Sequence, residues 1–291
     1  MQVAQIFKQK KPVVSFEIFP PKRDEALKSI DETLGILTEL KPDFISVTFG
    51  AGGSVTNSKT VEIASKIKKN FGIEAVAHLT CLNYSKDEII EMVNNLKAND
   101  IDNILALRGD HNPNLAPKND FMHASDLITF VKQHSDLGIS AACYPEGHPE
   151  AQSLSEDVIN LKRKVDAGAQ HLVSQLFFDN DIFYRFIELC KVAGINVPIE
   201  AGIMPVINKA QIERMVGLCG ASLPDNLKRM LDKFADNKEA LFDAGIAFAT
   251  NQIIDLLAAG VDGIHIYTMN NPKVAMKICD SIKNVIASNR A

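Results

Sequence analysis

Short apolar runs recur along the chain, and a stretch with helical spacing of apolar residues follows each of them. The runs occupy residues 13–20, 44–50, 74–81, 103–110, 138–145, 171–178, 198–206 and 263–270. Most of them carry a polar side chain in their later half, drawn from Glu17, Thr48, His78, Arg108, Asp110, Tyr144, Gln175 and Tyr267. A (β/α)₈ barrel assembles its active site from such groups at the C-terminal ends of parallel strands. The pattern therefore predicts an α/β protein with a TIM-barrel fold and an active site at that rim.

Period-2 alternation divides the predicted strands into two faces. In the first strand, Val14, Phe16 and Ile18 oppose Ser15 and Glu17. An open doubly wound sheet would be apolar on both faces of its strands, so we expect a closed barrel with the apolar face under the helices. The same division opposes Ile45, Val47 and Phe49 to Ser46 and Thr48, Leu105 and Leu107 to Ala106, Arg108 and Asp110, and Ile264 and Ile266 to His265 and Tyr267.

The predicted helices have recognisable ends. Residues 24–40 show apolar positions at helical spacing, and Pro42 follows them. Residues 85–99 begin with a capping box formed by Ser85 and Glu88. Between the seventh and eighth strands, residues 209–259 leave room for two to three helices, with a Gly/Ser/Pro-rich break at 217–224. We interpret this segment as a helical insertion at the rim of a single barrel domain spanning 1–291.

Composition narrows the class of protein. The chain has 291 residues, 46% of them hydrophobic and 23% charged, which suits one barrel. The net charge of -5 is interspersed and offers no basic stripe for nucleic acid. Five scattered cysteines without a CxxC pair indicate a reduced compartment and buried small hydrophobes rather than a disulfide framework or zinc site. The N-terminus lacks a signal-peptide core, and no apolar run approaches about 18 residues. We therefore expect a cytoplasmic protein without membrane insertion.

Glu17 is the candidate general acid. It lies in SFEIFPPK between two aromatic residues, with no basic residue within three positions of it. Poor solvation raises the pKa of a carboxyl group, which suits such a group to donate a proton. The alternative interpretation is a structural glutamate held in a salt bridge.

Two rim segments are candidates for ligand contact. LALRGD, residues 105–110, places Arg108 and Asp110 on either side of Gly109, which permits close approach of the backbone to a ligand. An internal Arg–Asp ion pair explains the same residues equally well. YPEGHPE, residues 144–150, brings Tyr144 and His148 into a proline-bounded loop. Cofactor contact or loop rigidity is favoured there over a metal site, because no second His–carboxylate cluster accompanies it.

The helix after that loop carries Asp157, Asn160, Arg163 and Lys164 on one side. A solvated face is the ordinary explanation, and a set of donors for a diphosphate or ribose is the functional one. FGAGGS, residues 49–54, follows a strand but is not GxGxxG. Lysine is absent from the strand ends, which counts against a Schiff-base aldolase.

Taken together, these motifs resemble the methylenetetrahydrofolate reductase family of flavoproteins. The resemblance covers nearly the whole chain and keeps the family order. Its motifs are SFEIFPPK, SVTFGAGGS, AHLTC, LALRGD, AAxYPEGHPE, LKRKVDAGAQ, SQLFFD, IMPV and IYTMN, between residues 15 and 270.

The resemblance implies FAD as the cofactor and no metal. It implies reduction of 5,10-methylenetetrahydrofolate to 5-methyltetrahydrofolate by ping-pong hydride transfer through FAD, a step of one-carbon metabolism that leads to methionine biosynthesis. Glu17 and Asp110 take the catalytic positions, and the folate-binding positions fall on Asp110, Gln175 and Gln211, with Met215 and Tyr267 beside them. The flavin contacts map onto Thr48, His78, Arg108, Gly109, Asp110, Ala124, Tyr144, His148, Ala151, Asp157, Asn160, Arg163 and Lys164.

The chain departs from the family pattern at three positions. Met215 replaces a stacking phenylalanine, Asn271 replaces an arginine after the YTxN motif, and Ala201 replaces a proline. The first two changes affect expected contacts with the reductant and the folate tail. The electron donor is accordingly expected to be NADH, NADPH or a partner protein, and the protein a homo-oligomer or a subunit of a redox complex. The chain ends soon after the eighth helix, so we expect no C-terminal regulatory domain.

Two other functions remain open at this point. One is a barrel that binds a pterin without flavin, such as a pteroate synthase or a methyltransferase-type domain. The other is a non-enzymatic barrel subunit of a larger complex. The charged helix face and LALRGD favour flavin, and Glu17, Asp110 and Gln175 argue against a scaffold.

Overall fold

Eight parallel strands close into a barrel in chain order, and β1 pairs with both β2 and β8. The computed structural model describes residues 1–21, 27–49, 54–110 and 118–290; residues 50–53 of FGAGGS and the predicted helical residues 24–26 lie outside it. One strand falls in each predicted run, which confirms the TIM barrel. The strands are β1 (Val13–Ile18), β2 (Phe44–Val47), β3 (Glu74–Thr80), β4 (Asn103–Leu107), β5 (Gly138–Cys143), β6 (His171–Ser174), β7 (Ile199–Ile203) and β8 (Gly263–Tyr267).

Helices alternate with the strands. The capping box is confirmed, since Ser85 Oγ accepts from the backbone N–H of Glu88 and Glu88 Oε2 accepts from that of Ser85. Three helices, α8 to α10, lie between β7 and β8. The helices are α1 (Val3–Gln9), α2 (Leu27–Glu39), α3 (Ser54–Phe71), α4 (Lys86–Ala98), α5 (Ala124–His134), α6 (Leu154–Ala167), α7 (Asn180–Val192), α8 (Lys209–Cys219), α9 (Asp225–Phe234), α10 (Lys238–Ala258) and α11 (Pro272–Arg290).

The main hydrophobic core lies between the strands and the helices. Val14, Phe16 and Ile18 of β1 belong to it, as the alternation predicts, and so do the matching residues of β2 and β8. The prediction for β4 is wrong. Leu105 and Leu107 point into the barrel, whereas Ala106 packs under the helices. Both faces of β4 are apolar at this level, so alternation of polarity could not orient that strand.

The N-terminal end of the barrel is closed by α1, a helix that the apolar pattern did not predict. Val3 and Ile6 are buried against Val13 and Phe44, and the ring of Phe7 stacks on His171 with centroids 4.6 Å apart. This closure leaves the opposite end of the barrel as the place where a ligand can reach the interior.

The helices α8 and α9 have a small hydrophobic cluster of their own at the C-terminal rim. Ile212 and Leu227 pack there on Phe178 and Val206, which follow β6 and β7. The loop after β5 also holds this region, because the carboxylate of Glu146 accepts a hydrogen bond from the backbone N–H of Ser222 at 3.0 Å. The insertion therefore has fixed contacts with the rim segments that follow β5, β6 and β7.

Within the described residues, α10 is the one helix whose length and composition would allow it to cross a membrane. Asp243, Asn251 and Asp255 lie within α10, so this helix contains no uninterrupted apolar run of about 18 residues. Leu241, Ile253 and Leu256 of α10 are buried, and the helix packs on α9 and α11. A core helix of a folded domain passes the same test, and the absence of membrane insertion stays a prediction. Cys81, Cys143 and Cys190 are buried as expected, whereas Cys219 and Cys279 are partly exposed.

Gly245 of α10 allows that helix to touch the chain after β7. A Cβ at this position would lie 1.7 Å from the carbonyl oxygen of Val206, whereas a Cβ at Gly35 of α2 would meet no atom within 4 Å. We predict that Gly245→Ala destabilises the fold by about 1–3 kcal/mol through overpacking. The control, Gly35→Ala, should stabilise it by roughly 0.5–1 kcal/mol because alanine favours a helix. Urea unfolding measures both, and equal effects would contradict the packing.

Candidate active site

The polar strand ends meet in a cleft of about 1290 Å³ at the C-terminal rim of the barrel. Every predicted site residue except Gln211 lines this cleft. Gln211 lies in the first turn of α8, where its backbone N–H bonds to Asn208 Oδ1, and its role stays a prediction. A smaller groove of about 350 Å³ lies between α3 and α4, away from the strand ends. The polar residues predicted from the strand ends therefore lie together in one cleft.

Glu17 lies at the floor of the cleft, with 20% of its side chain exposed. Its Oε2 atom is 3.4 Å from His78 Nε2 and 3.5 Å from His265 Nε2. The backbone carbonyl of Glu17 accepts a hydrogen bond from Thr268 Oγ1 at 2.7 Å, which fixes β1 against the end of β8. The acid is thus held between two imidazoles and is open only toward the cleft.

The expectation of a raised pKa at Glu17 is wrong for the folded chain. Burial, the largest influence, does raise the pKa. The nearby imidazoles of His265 and His78 and the hydroxyl of Ser46 together lower it below its usual value. The basic partners come from β3 and β8, far from Glu17 in sequence, so the local search for a salt bridge missed them. The pKa of Glu17 in the folded chain therefore depends on these two imidazoles.

Arg108 leaves the end of β4 and pairs with Glu150 rather than with Asp110. Its Nη1 and Nη2 atoms lie 2.5 Å and 2.7 Å from the two carboxylate oxygens of Glu150. This pairing raises the pKa of Arg108. Asp110 is exposed at the cleft edge. The internal Arg–Asp pair considered for LALRGD is not formed, and the carboxylate of Asp110 faces the cleft mouth.

Gly109 has a φ of 86°, in the left-handed region that favours glycine. A Cβ on it would lie 3.0 Å from Cβ of Thr80. Glycine is therefore required here by the left-handed backbone and by the closeness of Thr80 on β3, and close approach of a ligand to Gly109 stays a prediction.

One wall of the cleft is the polar face of α6. Burial lowers the pKa of Lys164, and Asp157 opposes that effect. Burial also raises the pKa of Asp157, and Lys164 opposes that in turn. Lys164 Nζ donates to the carbonyl of Ala142 at 2.9 Å, and Arg163 Nη1 donates to Asn160 Oδ1 at 2.9 Å. The interpretation as a purely solvated face therefore fails for Asp157 and Lys164, which are held against the barrel.

The loop after β5 packs against this wall. The rings of Tyr144 and His148 meet edge to face with centroids 4.8 Å apart, and Lys164 Nζ lies 5.9 Å from the centre of the Tyr144 ring. Burial raises the pKa of Tyr144 to about 12 and lowers that of His148. Both groups are therefore neutral near neutral pH, so the positive charge of this wall comes from Arg163 and Lys164. Among the described residues, no group of three His, Cys, Asp or Glu side chains could hold a metal ion.

Tyr267 is a fixed wall residue on the folate side of the predicted site. Its hydroxyl donates to the carbonyl of Ser174 at 2.7 Å. A Cβ on Gly202 would lie 2.7 Å from that hydroxyl and 2.3 Å from the Ser174 oxygen, so glycine is needed beside it. Gln175 stands next to this contact, and its Oε1 accepts from the backbone N–H of Leu176 at 2.9 Å.

Several residues of the cleft were missed by reasoning from the sequence. The strand-end pattern contains only polar groups, so apolar side chains beside them were not predicted. Alternation had placed His265 on the inner face beside Tyr267, which was the available signal for it. The apolar lining residues that were missed include Phe19, Phe49, Tyr84, Met204 and Met269.

The fold and the site together are those of a TIM-barrel enzyme, whose active site lies at the C-terminal rim of the barrel. In this chain the rim holds a largely buried acid at the floor of a large cleft, and one wall of the cleft is cationic. A family model described as methylenetetrahydrofolate reductase matches residues 2–283. The chain belongs to the methylenetetrahydrofolate reductase family.

Individual relatives agree with this assignment. The chain is 39% identical over 269 residues to the 5,10-methylenetetrahydrofolate reductase of Escherichia coli, covering 92% of this chain and 90% of that protein. It is 38% identical over 292 residues to methylenetetrahydrofolate reductase (NADH) 1 of Arabidopsis thaliana, covering 95% of this chain and 49% of that protein. The chain thus spans about half the length of the plant relatives.

A solved structure is similar in fold. It is an uncharacterised protein from Clostridium thermocellum that binds two copies of 5-methyl-5,6,7,8-tetrahydrofolic acid. The TM-score is 0.67 at 14% identity, and the match covers 99% of this chain and 100% of that one. This similarity concerns the barrel fold alone.

Proposed function

We propose that this protein binds FAD in the rim cleft and reduces 5,10-methylenetetrahydrofolate to 5-methyltetrahydrofolate. The observation that carries the proposal is the position of Glu17, an acid at the floor of a cleft whose side wall is cationic. Family membership supports the reaction. The visible absorption spectrum of the purified protein tests the cofactor, because a barrel that binds a pterin without flavin would lack the flavin bands.

The described residues fit a dinucleotide cofactor. The cleft, at about 1290 Å³, exceeds the roughly 300–1,000 Å³ of ordinary small-molecule sites and suits a large cofactor with substrate beside it. Arg163 and Lys164 would hold the diphosphate, because charge-assisted hydrogen bonds to anions are strong. Tyr144 and Ala124 would line its path toward Thr48 and His78. Bound FAD would supply two-electron chemistry between a reductant and the folate in two separate half-reactions.

Glu17 would supply the proton for the folate half-reaction. Opening the five-membered ring of methylenetetrahydrofolate requires a proton at N10 and leaves an N5 iminium as the electrophile. Glu17 can give that proton to a ligand only from the cleft side, because His78 and His265 flank its carboxyl group on the other sides. General acid catalysis of this kind typically contributes about 10²–10⁴-fold.

Asp110 and Gln175 would bind the pterin from the rim. The exposed carboxylate of Asp110 can accept hydrogen bonds from a ring that carries N–H donors. Its negative charge near the flavin would also disfavour added negative charge there, which lowers the reduction potential. Tyr267 would limit the depth of the folate ring, because its hydroxyl is already bonded to Ser174.

The electron donor depends on the residues of α8. Met215 lines the cleft on the same side as Met204 and Met269. A thioether fills space and contacts rings, but it cannot stack ring on ring as an aromatic residue does. We propose NADH, NADPH or a partner protein as the donor, with weak nicotinamide binding by the isolated protein. The single domain, the cytoplasmic location and the oligomeric or redox-complex assembly remain predictions from the sequence.

We predict that Lys164→Met weakens FAD binding roughly 10- to 100-fold, the range expected for loss of one hydrogen bond to a charged group. The control is Lys162→Met on the same helix, where the lysine pairs with Asp166 four residues on. Titration of the apoprotein with FAD, followed by flavin fluorescence, gives both affinities. Equal affinities in the two variants would exclude α6 as the diphosphate-binding wall.

We predict that Glu17→Gln keeps FAD and accepts electrons from a chemical reductant, yet reduces methylenetetrahydrofolate about 10²–10⁴-fold more slowly because the proton source is gone. The control is Glu91→Gln on the exposed surface of α4. Anaerobic stopped-flow absorbance separates the two half-reactions. Normal folate turnover by Glu17→Gln would remove this residue from the mechanism.

We predict slow flavin reduction by NADH and NADPH in the isolated protein, and faster reduction in Met215→Phe, because stacking adds about 0.5–1.5 kcal/mol. Stopped-flow bleaching at several nucleotide concentrations measures the effect. Rapid bleaching of the unmodified protein at low micromolar NADH would show that Met215 suffices. Absent bleaching in both proteins would make a partner protein the leading donor.

A further inference from the structure

A column of buried polar side chains continues below Glu17 toward the closed end of the barrel. His265 Nδ1 lies 2.6 Å from Ser15 Oγ, and Ser15 Oγ lies 2.7 Å from Glu200 Oε1. Ser15, Glu200 and His265 are at most 1% exposed. Glu200 Oε2 lies 3.3 Å from His171 Nε2, and His171 Nδ1 lies 3.0 Å from Ser140 Oγ. The proposed function uses Glu17 from this region and leaves the rest of the column without a role.

The chemistry of these groups fixes the direction of the hydrogen bonds. A carboxylate oxygen without hydrogen accepts, and a serine hydroxyl has a single hydrogen to donate. Ser15 gives that hydrogen to Glu200. The 2.6 Å contact with His265 Nδ1 then requires the imidazole to donate and Ser15 Oγ to accept. His265 therefore carries hydrogen on Nδ1, and its Nε2 atom points at Glu17.

This orientation determines what can lie between His265 and Glu17. Without a proton there, the Nε2 lone pair and the carboxylate would face each other in a buried site, which is unfavourable. With a proton there, either group can hold it, and loss of that proton leaves an ordinary neutral imidazole. The opposite tautomer, with hydrogen on Nε2 alone, would have no proton to give, because its loss would leave an imidazolate.

Other groups that face Glu17 do not replace this proton. Burial lowers the pKa of His78 on β3, so this imidazole is neutral near neutral pH. Burial raises the pKa of Tyr267 on β8, so its phenol stays protonated and bonds to Ser174. Ser46 on β2 contributes a hydroxyl. His265 is thus the one described neighbour of Glu17 whose second nitrogen is held by a buried carboxylate through a serine.

We infer that Ser15 and Glu200 are positioning residues that hold His265 with hydrogen on Nδ1, so that His265 Nε2 and Glu17 together store the proton delivered to the substrate. The inference rests on the proposed function for the identity of that substrate. The folate nitrogen takes this single proton from Glu17; if the proton is held on His265 Nε2, it moves to Glu17 first, and delivery leaves the Glu17 carboxylate beside the neutral Nδ1–H imidazole. One proton leaves the pair, and its charge falls by one.

The arrangement of His265 is directly measurable without folate. We expect nitrogen NMR of histidine-labelled holoprotein near neutral pH to show hydrogen on Nδ1 of His265, with the signal assigned by its loss in His265→Gln. Ser15→Ala removes the acceptor for Nδ1, so His265 should then adopt the tautomer with hydrogen on Nε2. The matched control is Ser140→Ala, which removes the other buried serine that contacts a histidine Nδ1 and leaves Ser15 in place. A neutral Nε2–H tautomer in the unmodified protein would overturn the inference whatever the variants do.

The pH dependence of the folate half-reaction gives a second test. In Ser15→Ala the deprotonated pair can relax to the Nε2–H tautomer, so it loses its proton more easily. The midpoint at which the acid-dependent rate is lost should move about one pH unit lower, the size expected from one hydrogen bond to a charged group. Ser140→Ala should leave the midpoint unchanged. Equal midpoints in Ser15→Ala and the unmodified protein would contradict the inference.

Glu200 is tested by a pair of substitutions. Glu200→Leu removes the acceptor for Ser15 at similar volume and should repeat the downward movement of the midpoint. Glu200→Gln keeps an oxygen that accepts from the Ser15 hydroxyl, so its midpoint should lie close to that of the unmodified protein. Equal midpoints in the two variants would contradict a role through Ser15. If the NMR result holds while the unmodified protein does not reduce methylenetetrahydrofolate, the proposed function fails and the assigned orientation of His265 stands.

Discussion

The pairing of buried polar groups inside the barrel is the constraint on which the site depends. Closure of eight parallel strands forces Ser15, Glu17, His78, Glu200 and His265 to share an interior from which water is largely excluded. An isolated buried charge is costly, and it becomes tolerable when hydrogen bonds and opposite charges surround it. Each of these groups therefore limits the orientation of its neighbours. Residues on other strands determine both the position and the pKa of Glu17.

The two ends of the barrel have different roles because of how they are filled. At the N-terminal end, α1 and the ring of Phe44 cover the interior, and Phe7 stacks on His171. At the C-terminal end, the loops and α8 leave the cleft above Glu17. Polar groups near the closed end can only act on one another, whereas Glu17 can also act on a ligand. The direction of proton delivery in the proposed reaction follows from this asymmetry.

Much of the fold was predictable because its determinants are local. Apolar runs of strand length, the Ser85–Glu88 capping box and the break before α9 each depend on neighbouring residues. The faces of β4 were not predictable, because Leu105 and Ala106 are both apolar and only pairing with β3 decides which one points inward. The selection of strand-end residues worked for a similar reason, since the barrel gathers all strand ends at one rim.

The electrostatics of the site could not be read from local sequence. The pKa of Glu17 depends on His78 and His265, which are 61 and 248 positions away by the numbering and adjacent only after closure. The same holds for Tyr267, whose fixed position depends on the missing side chain of Gly202 and the carbonyl of Ser174. Contacts between residues so far apart in sequence do not affect the periodicity of apolar and polar positions, so they could not be predicted from it.

The central claim is that the cleft above Glu17 reduces methylenetetrahydrofolate with electrons held on bound FAD. The most direct test is to photoreduce the unmodified holoprotein without oxygen and mix it with methylenetetrahydrofolate while recording flavin absorbance and identifying the product by mass spectrometry. The account predicts that the flavin bands return and that one 5-methyltetrahydrofolate forms for each flavin reoxidised. A protein that binds FAD but stays reduced in the presence of the folate, or that releases no methyl product, would contradict it.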